Sequence, residues 1–137
     1  MAAGQMKRPA VFAYGFRPFF LLAGIDALFN MALWLAAYFQ PGLWPDAGMA
    51  SMYWHAHEML FGFVAAAIAG FLLTAVPGWT GRPPYAGWPL AVLIAVWLAG
   101  RIAMLPWCHI SPLVTAIVDL AFFPALAAWL APPLLRA

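Results

Sequence analysis

The chain of 137 residues is 67% hydrophobic and only 7% charged, with a formal net charge of +2. Soluble domains carry about 25% charged and about 45–50% apolar residues, so this chain cannot cover a water-facing surface. The composition predicts an integral membrane protein whose main partner is the lipid bilayer. The dispersed basic residues do not form the clustered face that nucleic-acid binding requires.

Four apolar segments approach the length of about 20 residues that a membrane-spanning helix needs. The predicted helices run roughly over residues 19–39, 55–76, 88–105 and 111–130. Pro77-Gly78 is expected to close the second helix, and Pro132-Pro133 is expected to end the fourth. Pro124 lies inside the fourth helix, where we expect a kink.

The short connections between these helices favour an all-α, up-and-down bundle of four antiparallel helices in a single domain. Its orientation follows from the basic residues that flank the helices, which are Lys7, Arg8, Arg17, Arg82 and Arg136. All five lie on the cytoplasmic side if both termini are inside, so we predict an N-in, C-in topology. No cleavable signal peptide is recognisable, and the first helix is expected to act as an uncleaved insertion signal.

Several tryptophans fall at the predicted helix ends, where aromatic residues typically mark the lipid–water interface. These are Trp44, Trp54, Trp79, Trp88 and Trp107. In the predicted topology, all three histidines and the single cysteine lie at the outer end of the bundle. The sequence thus concentrates its candidate ligands on one side of the membrane.

The segment His55-Ala56-His57-Glu58 opens the second helix and is the strongest candidate for a functional site. Two imidazoles and a carboxylate are costly to desolvate at the start of a membrane helix. At about 100° per residue, His55 and Glu58 share a face, and His57 lies about 200° away on a bulky apolar face. We therefore expect His55 and Glu58 to point into the bundle, and His57 towards lipid or a second partner chain.

The face of His55 and Glu58 also carries small residues at four-residue spacing. These are Gly62, Ala66 and Gly70. Small residues let membrane helices approach each other closely. The pattern predicts that another helix packs against this face.

The residues leave two interpretations of His55 and His57 open. The first is that they bind a metal or a haem. A regular helix cannot bring His55 and His57 onto one ion, but each imidazole is a good ligand, and Glu58 could orient a ligating ring. The alternative is that both imidazoles are hydrated at the interface. In the outer turn, Cys108 and His109 offer ligands suited to copper, although an ordinary loop pair is the favoured reading there.

Charged residues inside the apolar spans need partners. Arg101 on the third helix is predicted to pair with Asp119 on the fourth, with Glu58, or with the propionate of a haem. Asp26 and Asn30 share a face of the first helix, where they could join a polar network or a proton path.

Several motifs resemble the NnrS family and together span most of residues 12–105. They are residues 15–22 (GFRPFFLL), 55–63 (HAHEMLFGF), 69–77 (AGFLLTAVP), 79–83 (WTGRP) and 97–101 (WLAGR). One departure is Gly78, where the family pattern leads us to expect Asn. The resemblance implies a multi-pass protein of the bacterial inner membrane that contains haem and copper and acts in denitrification or the response to nitric oxide.

The same resemblance makes His55 and His57 candidates for metal or haem ligands, with His55 leading. Glu58 and Arg101 are then expected to support the cofactor, and His109 is a weaker metal candidate. Members of the family are usually much longer, so the chain resembles their N-terminal third. It could be a truncated gene product, a short homologue or one part of a split protein.

Four helices of this length are expected to leave an apolar face unmatched, so we predict a homo-oligomer or a partner membrane chain. Two other functions are left open by the sequence. The first is a proton-coupled transport module with a relay of Asp26, Glu58, Arg101 and Asp119, and the second is an inert membrane scaffold. Whether the chain is an enzyme is also open.

Overall fold

The computed structural model describes residues 14–45 and 48–136, and within these ranges the chain is helical without a strand. The helices are α1 (Phe16–Phe39), α2 (Ser51–His57), α3 (Ala65–Thr80), α4 (Trp88–Ala103), α5 (Pro112–Leu120) and α6 (Phe122–Leu135). A π-helix, Glu58–Val64, joins α2 to α3, and a 3-10 turn, Pro41–Leu43, follows α1.

Three stretches in the described part of the chain are long and apolar enough to cross a bilayer. They are Phe16–Phe39, Ser51–Thr80 and Pro112–Leu135, and α4 is a shorter apolar helix. The four predicted segments thus correspond to α1, to α2 with α3, to α4, and to α5 with α6. The chain is a helical membrane protein, as its composition predicts.

Contacts between α1 and the second helical segment show that these two neighbours run in opposite directions. Gly15, at the start of α1, lies so close to α3 that an added Cβ would be 2.6 Å from the Cβ of Leu73. Trp34, late in α1, stacks on His55 in α2 with ring centroids 4.9 Å apart.

Of the basic residues used to predict the membrane orientation, Lys7 and Arg8 lie outside the described residues.

The core is formed by buried residues of α1, α3, α4 and α6. Phe19 and Phe122 are buried with their ring centroids 5.9 Å apart. A Cβ added to Gly70 would lie 3.2 Å from the Cβ of Phe19. This close approach confirms that the small residues of the second predicted helix admit another helix.

The second helical segment is longer than predicted at both ends, and Pro77-Gly78 does not close it. It begins at Ser51 and ends at Thr80. A proline removes a single backbone N–H, and here the last turn is stabilised by other bonds. The Thr80 hydroxyl donates to the carbonyl of Val76 at 2.8 Å, and Gly81 ends the helix with a positive φ of 65° and an N–H bond to Pro77 O.

The other predicted ends also shift. The third helix ends at Ala103 instead of residue 105, and Pro132-Pro133 lie inside α6, which continues to Leu135. Prolines so close to a helix end remove few bonds, so the helix continues through them. The fourth segment is interrupted at Ala121, one turn before Pro124, whose missing N–H would otherwise bond to Leu120 O.

Trp54 corrects the predicted aromatic belt, because it is buried with 2% of its surface exposed. Its indole Nε1 donates to the carbonyl of Met104 at 2.7 Å, which ties α2 to the end of α4. Trp79, Trp88 and Trp107 are exposed. A helix-end position therefore did not distinguish an interfacial tryptophan from one that fastens two helices.

Tyr85, in the segment before α4, donates its hydroxyl to the carbonyl of Trp129 at 2.7 Å, and burial raises the pKa of its phenol. We expect Tyr85→Phe to lower the free energy of unfolding by about 1 kcal/mol, measured by denaturant unfolding in detergent. The exposed Tyr53 provides the control, Tyr53→Phe. Because the pKa is raised, the difference in free energy of unfolding between the unmodified chain and Tyr85→Phe should persist below about pH 10 and shrink at higher pH.

Candidate functional site

A buried charged cluster joins the second, third and fourth helical segments around Arg101. Its Nη1 donates to Glu58 Oε1 at 2.8 Å, and its Nη2 donates to Asp119 Oδ1. The three side chains are 10% exposed or less. The two protein partners that the sequence offered as alternatives for Arg101 are thus both bonded to it.

His57 completes the charged cluster, so the predicted orientation towards lipid or a second chain is wrong. Its Nδ1 lies 3.3 Å from Glu58 Oε1, and its Nε2 lies 3.2 Å from Asp119 Oδ2. Its ring stacks on Phe61 with centroids 4.4 Å apart. At the start of the bulky face, His57 contacts Asp119 in α5 and Phe61 contacts Phe123 in α6. A single helical wheel could not indicate these contacts, and farther along the same face Ile68 and Phe71 are exposed.

The π-helix brings the cluster against α1 and α4. The carbonyl of Gly62 accepts a hydrogen bond from Trp97 Nε1 at 3.2 Å. A Cβ at position 62 would collide with Asp26 Oδ2 and would lie 3.2 Å from Nη1 of Arg101. Only glycine fits where the side chains of Asp26 and Arg101 converge.

Asp26 and Asn30 form the polar pair that their spacing predicts. Asn30 Nδ2 donates to Asp26 Oδ2 at 2.9 Å, and both side chains are buried. Asp26 makes no ion pair within the described residues. The pair extends the polar interior from the charged cluster to the middle of α1.

His55 lies apart from the charged cluster. Its ring stacks on Trp34 at an interplanar angle of 21°, and its Nδ1 is buried without a hydrogen-bond partner in the described structure. Glu58, which the sequence offered as an orienter of His55, contacts His57 and Arg101 instead. The two histidines of the motif therefore occupy different environments.

A cleft of about 530 Å³ opens at the end of the bundle where α4 connects to α5. His57 and Asp119 line it from the charged cluster, and Met104, Cys108 and His109 line it from the connecting segment. In residues 14–45 and 48–136, no group of three or more His, Cys, Asp or Glu side chains could hold a metal ion. Cys108 and His109 thus share a cleft with His57 without forming a complete ligand set.

Trp34, Gly62 and Trp97 were missed as site residues by the sequence reasoning. Trp97 precedes Arg101 by one helical turn, and the guanidinium carbon lies 5.9 Å from the indole centroid. This spacing of i and i+4 was a readable signal, because such residues share a helix face. No comparable signal linked Trp34 to His55, since the two lie on different helices.

Comparison with known families supports the motif resemblance over a longer part of the chain. A family model described as NnrS protein matches residues 10–137. Searches among curated proteins and among solved structures gave no match.

Proposed function

Since this chain belongs to the NnrS family, we propose that it binds haem or copper and acts in the response to nitric oxide or in denitrification. It does so as a multi-pass protein of the bacterial inner membrane, with both termini in the cytoplasm. The bound group supplies the redox chemistry and the affinity for nitric oxide. The side chains of this protein bind that group and form the environment around it.

The observation that carries this proposal is the buried Nδ1 of His55, which has no hydrogen-bond partner in the described structure. A buried polar nitrogen without a partner is costly, and coordination of a metal or haem iron would satisfy it. Both nitrogens of His57 are already held by Glu58 and Asp119. His55 is therefore the ligand, and His57 keeps the charged cluster in position.

The apolar side chains near His55 favour a haem as the bound group. A haem needs an axial imidazole and an apolar environment. Trp34 provides an aromatic face, and the exposed Met31 and Met52 lie one turn away on the same two helices. Copper would need ligands beyond the His, Cys, Asp and Glu side chains of the described residues, which form no group of three.

The proposal predicts that His55→Ala abolishes cofactor binding. The Soret absorbance of the protein reconstituted with haem, and its copper content after loading, should fall to the level of cofactor-free membranes. His109→Ala is the matched control, because His109 is exposed on the segment between α4 and α5. Full loading of the His55→Ala protein would refute the assignment.

A proton-coupled transport module is the second candidate, and one observation favours it. Asp119 lines the cleft at the end of the bundle, whereas Glu58 and Arg101 line a separate groove between α1 and α4. The charged cluster therefore connects two cavities. Proton flux across proteoliposomes that persists in the His55→Ala protein would support this function, and the absence of flux would exclude it.

A further inference from the structure

The imidazole of His55 lacks the hydrogen bond that usually orients a ligating histidine. Metal-bound histidines almost always donate the second ring N–H to a carboxylate, a carbonyl or water, which fixes the direction of the coordinating nitrogen. Glu58, the carboxylate expected in that role, contacts His57 and Arg101 instead. Within residues 14–45 and 48–136, no hydrogen bond to the ring of His55 is formed. A different contact must therefore hold the ring if it is to present a nitrogen to a bound group.

Trp34 provides such a contact. Its ring and the imidazole of His55 are nearly parallel, with centroids 4.9 Å apart and an interplanar angle of 21°. Stacked rings at this separation attract each other, and rotation of the imidazole about its Cβ–Cγ bond would break the stacking. Trp34 in turn contacts Tyr38, one turn later in α1, with ring centroids 5.8 Å apart. Residues of α1 thus form a supported flat surface for the imidazole on α2.

The stacking leaves the coordination position of His55 open. The lone pair of an imidazole nitrogen lies in the plane of the ring, whereas Trp34 covers the face of the ring. A metal ion or haem iron therefore binds without displacing the indole. Coordination withdraws electrons from the imidazole, and the face of an indole attracts an electron-poor partner. The contact with Trp34 should consequently strengthen when His55 binds a metal.

We propose that Trp34 is a positioning residue for His55, and that its stacked indole fixes the plane of the imidazole and so the direction in which a haem iron or metal ion is bound. The inference rests on the proposed function, because it takes His55 as the ligand. Trp34 acts through His55 and replaces the hydrogen-bonded group that commonly orients a ligating histidine. The ligand and its support come from neighbouring helices of one chain.

The first test measures affinity for iron protoporphyrin IX by titration of the whole chain in lipid nanodiscs, followed by Soret absorbance. Trp34→Leu keeps an apolar side chain without a flat ring and is expected to weaken binding about two- to tenfold, the range of an aromatic contact. Trp34→Phe keeps a ring and should restore at least part of the affinity. Trp88→Leu is the matched control, because Trp88 is exposed at the start of α4, and it should bind like the unmodified chain.

The second test measures how firmly the imidazole is held, which a purely structural role of Trp34 would not change. Pulsed electron paramagnetic resonance of the haem-loaded chain with ¹⁵N-labelled histidine should give a narrow distribution of imidazole couplings in the unmodified and Trp34→Phe proteins and a broader one in Trp34→Leu. Loss of folding in Trp34→Leu does not affect a further measurement on the unmodified, cofactor-free chain. There, nuclear relaxation of the His55 ring, assigned by its loss in His55→Ala, should show a rigid imidazole.

Three results would overturn the role of Trp34 and leave the proposed function intact, provided that haem binding depends on His55. They are unmodified affinity and a narrow coupling in Trp34→Leu, no recovery in Trp34→Phe, and a freely rotating His55 ring in the unmodified chain. Haem binding that is unchanged in His55→Ala would refute the proposed function and this inference with it.

Discussion

Replacement of Arg101 by methionine is expected to lower the free energy of unfolding by about 3–5 kcal/mol, because two buried carboxylates lose the guanidinium that bonds to both of them and keep only His57 as a partner. Arg101 bonds to both Glu58 and Asp119, and all three side chains are largely buried. Methionine keeps most of the side-chain volume, so the loss reflects charge and hydrogen bonds. The change is measured by reversible unfolding in mixed detergent micelles.

Two further variants separate the cost of unpaired charge from the cost of altered packing. In the triple variant Arg101→Met, Glu58→Gln, Asp119→Asn, no unpaired charge remains at these three positions, and we expect much of the lost stability to return. Arg101→Lys keeps the charge but cannot donate to two carboxylates in the same fork geometry, so an intermediate loss is expected. An Arg101→Met protein as stable as the unmodified chain would contradict this account of the charged cluster.

Gly62→Ala should destabilise the bundle by about 1–3 kcal/mol, the usual cost of adding a methyl group where packing leaves no space. The new Cβ would collide with the Asp26 carboxylate and press on Arg101 Nη1. Relief requires α1 to move away from the π-helix or Asp26 to leave its bond with Asn30. The same unfolding experiment measures the loss.

Gly78→Ala is the matched control, because a Cβ there meets nothing within 4 Å. Gly78 lies within α3, where alanine is favoured over glycine by up to about 1 kcal/mol, so this variant should be neutral or more stable. If the two alanine variants had the same stability, the proposed close approach at Gly62 would be wrong.

The helices were predictable from the sequence because the bilayer requires long apolar segments, and the four predicted segments are all helical. Their ends were less predictable. Pro77 was expected to close the second helix, but hydrogen bonds around Thr80 and Gly81 continue the helix past it. A proline in the last turn removes one bond, and the sequence alone does not show whether other bonds stabilise that turn.

Part of the charged cluster was also predictable, because Arg101 within an apolar helix had to find carboxylates. The position of His57 was not predictable, since a helical wheel shows which residues share a face and not which helix covers that face. The burial of Trp54 was not predictable for the same reason, because its indole donates to the carbonyl of Met104 at the end of another helix. Contacts between helices decided each of these cases.

The structure assigns different environments to the two histidines of the motif. His57 is bonded on both nitrogens within the charged cluster, whereas His55 has a buried nitrogen without a hydrogen-bond partner in the described structure. On this view the charged cluster supports the fold beside the cofactor, and His55 makes the bond to it.

Pulsed electron paramagnetic resonance of the cofactor-loaded chain, with histidine labelled by ¹⁵N, tests most directly whether His55 is the ligand. The account predicts a strong coupling between the metal and one imidazole nitrogen, which disappears in the His55→Ala protein and persists in the His109→Ala protein. A loaded chain that shows no imidazole coupling, or the same coupling after His55→Ala, would contradict the account.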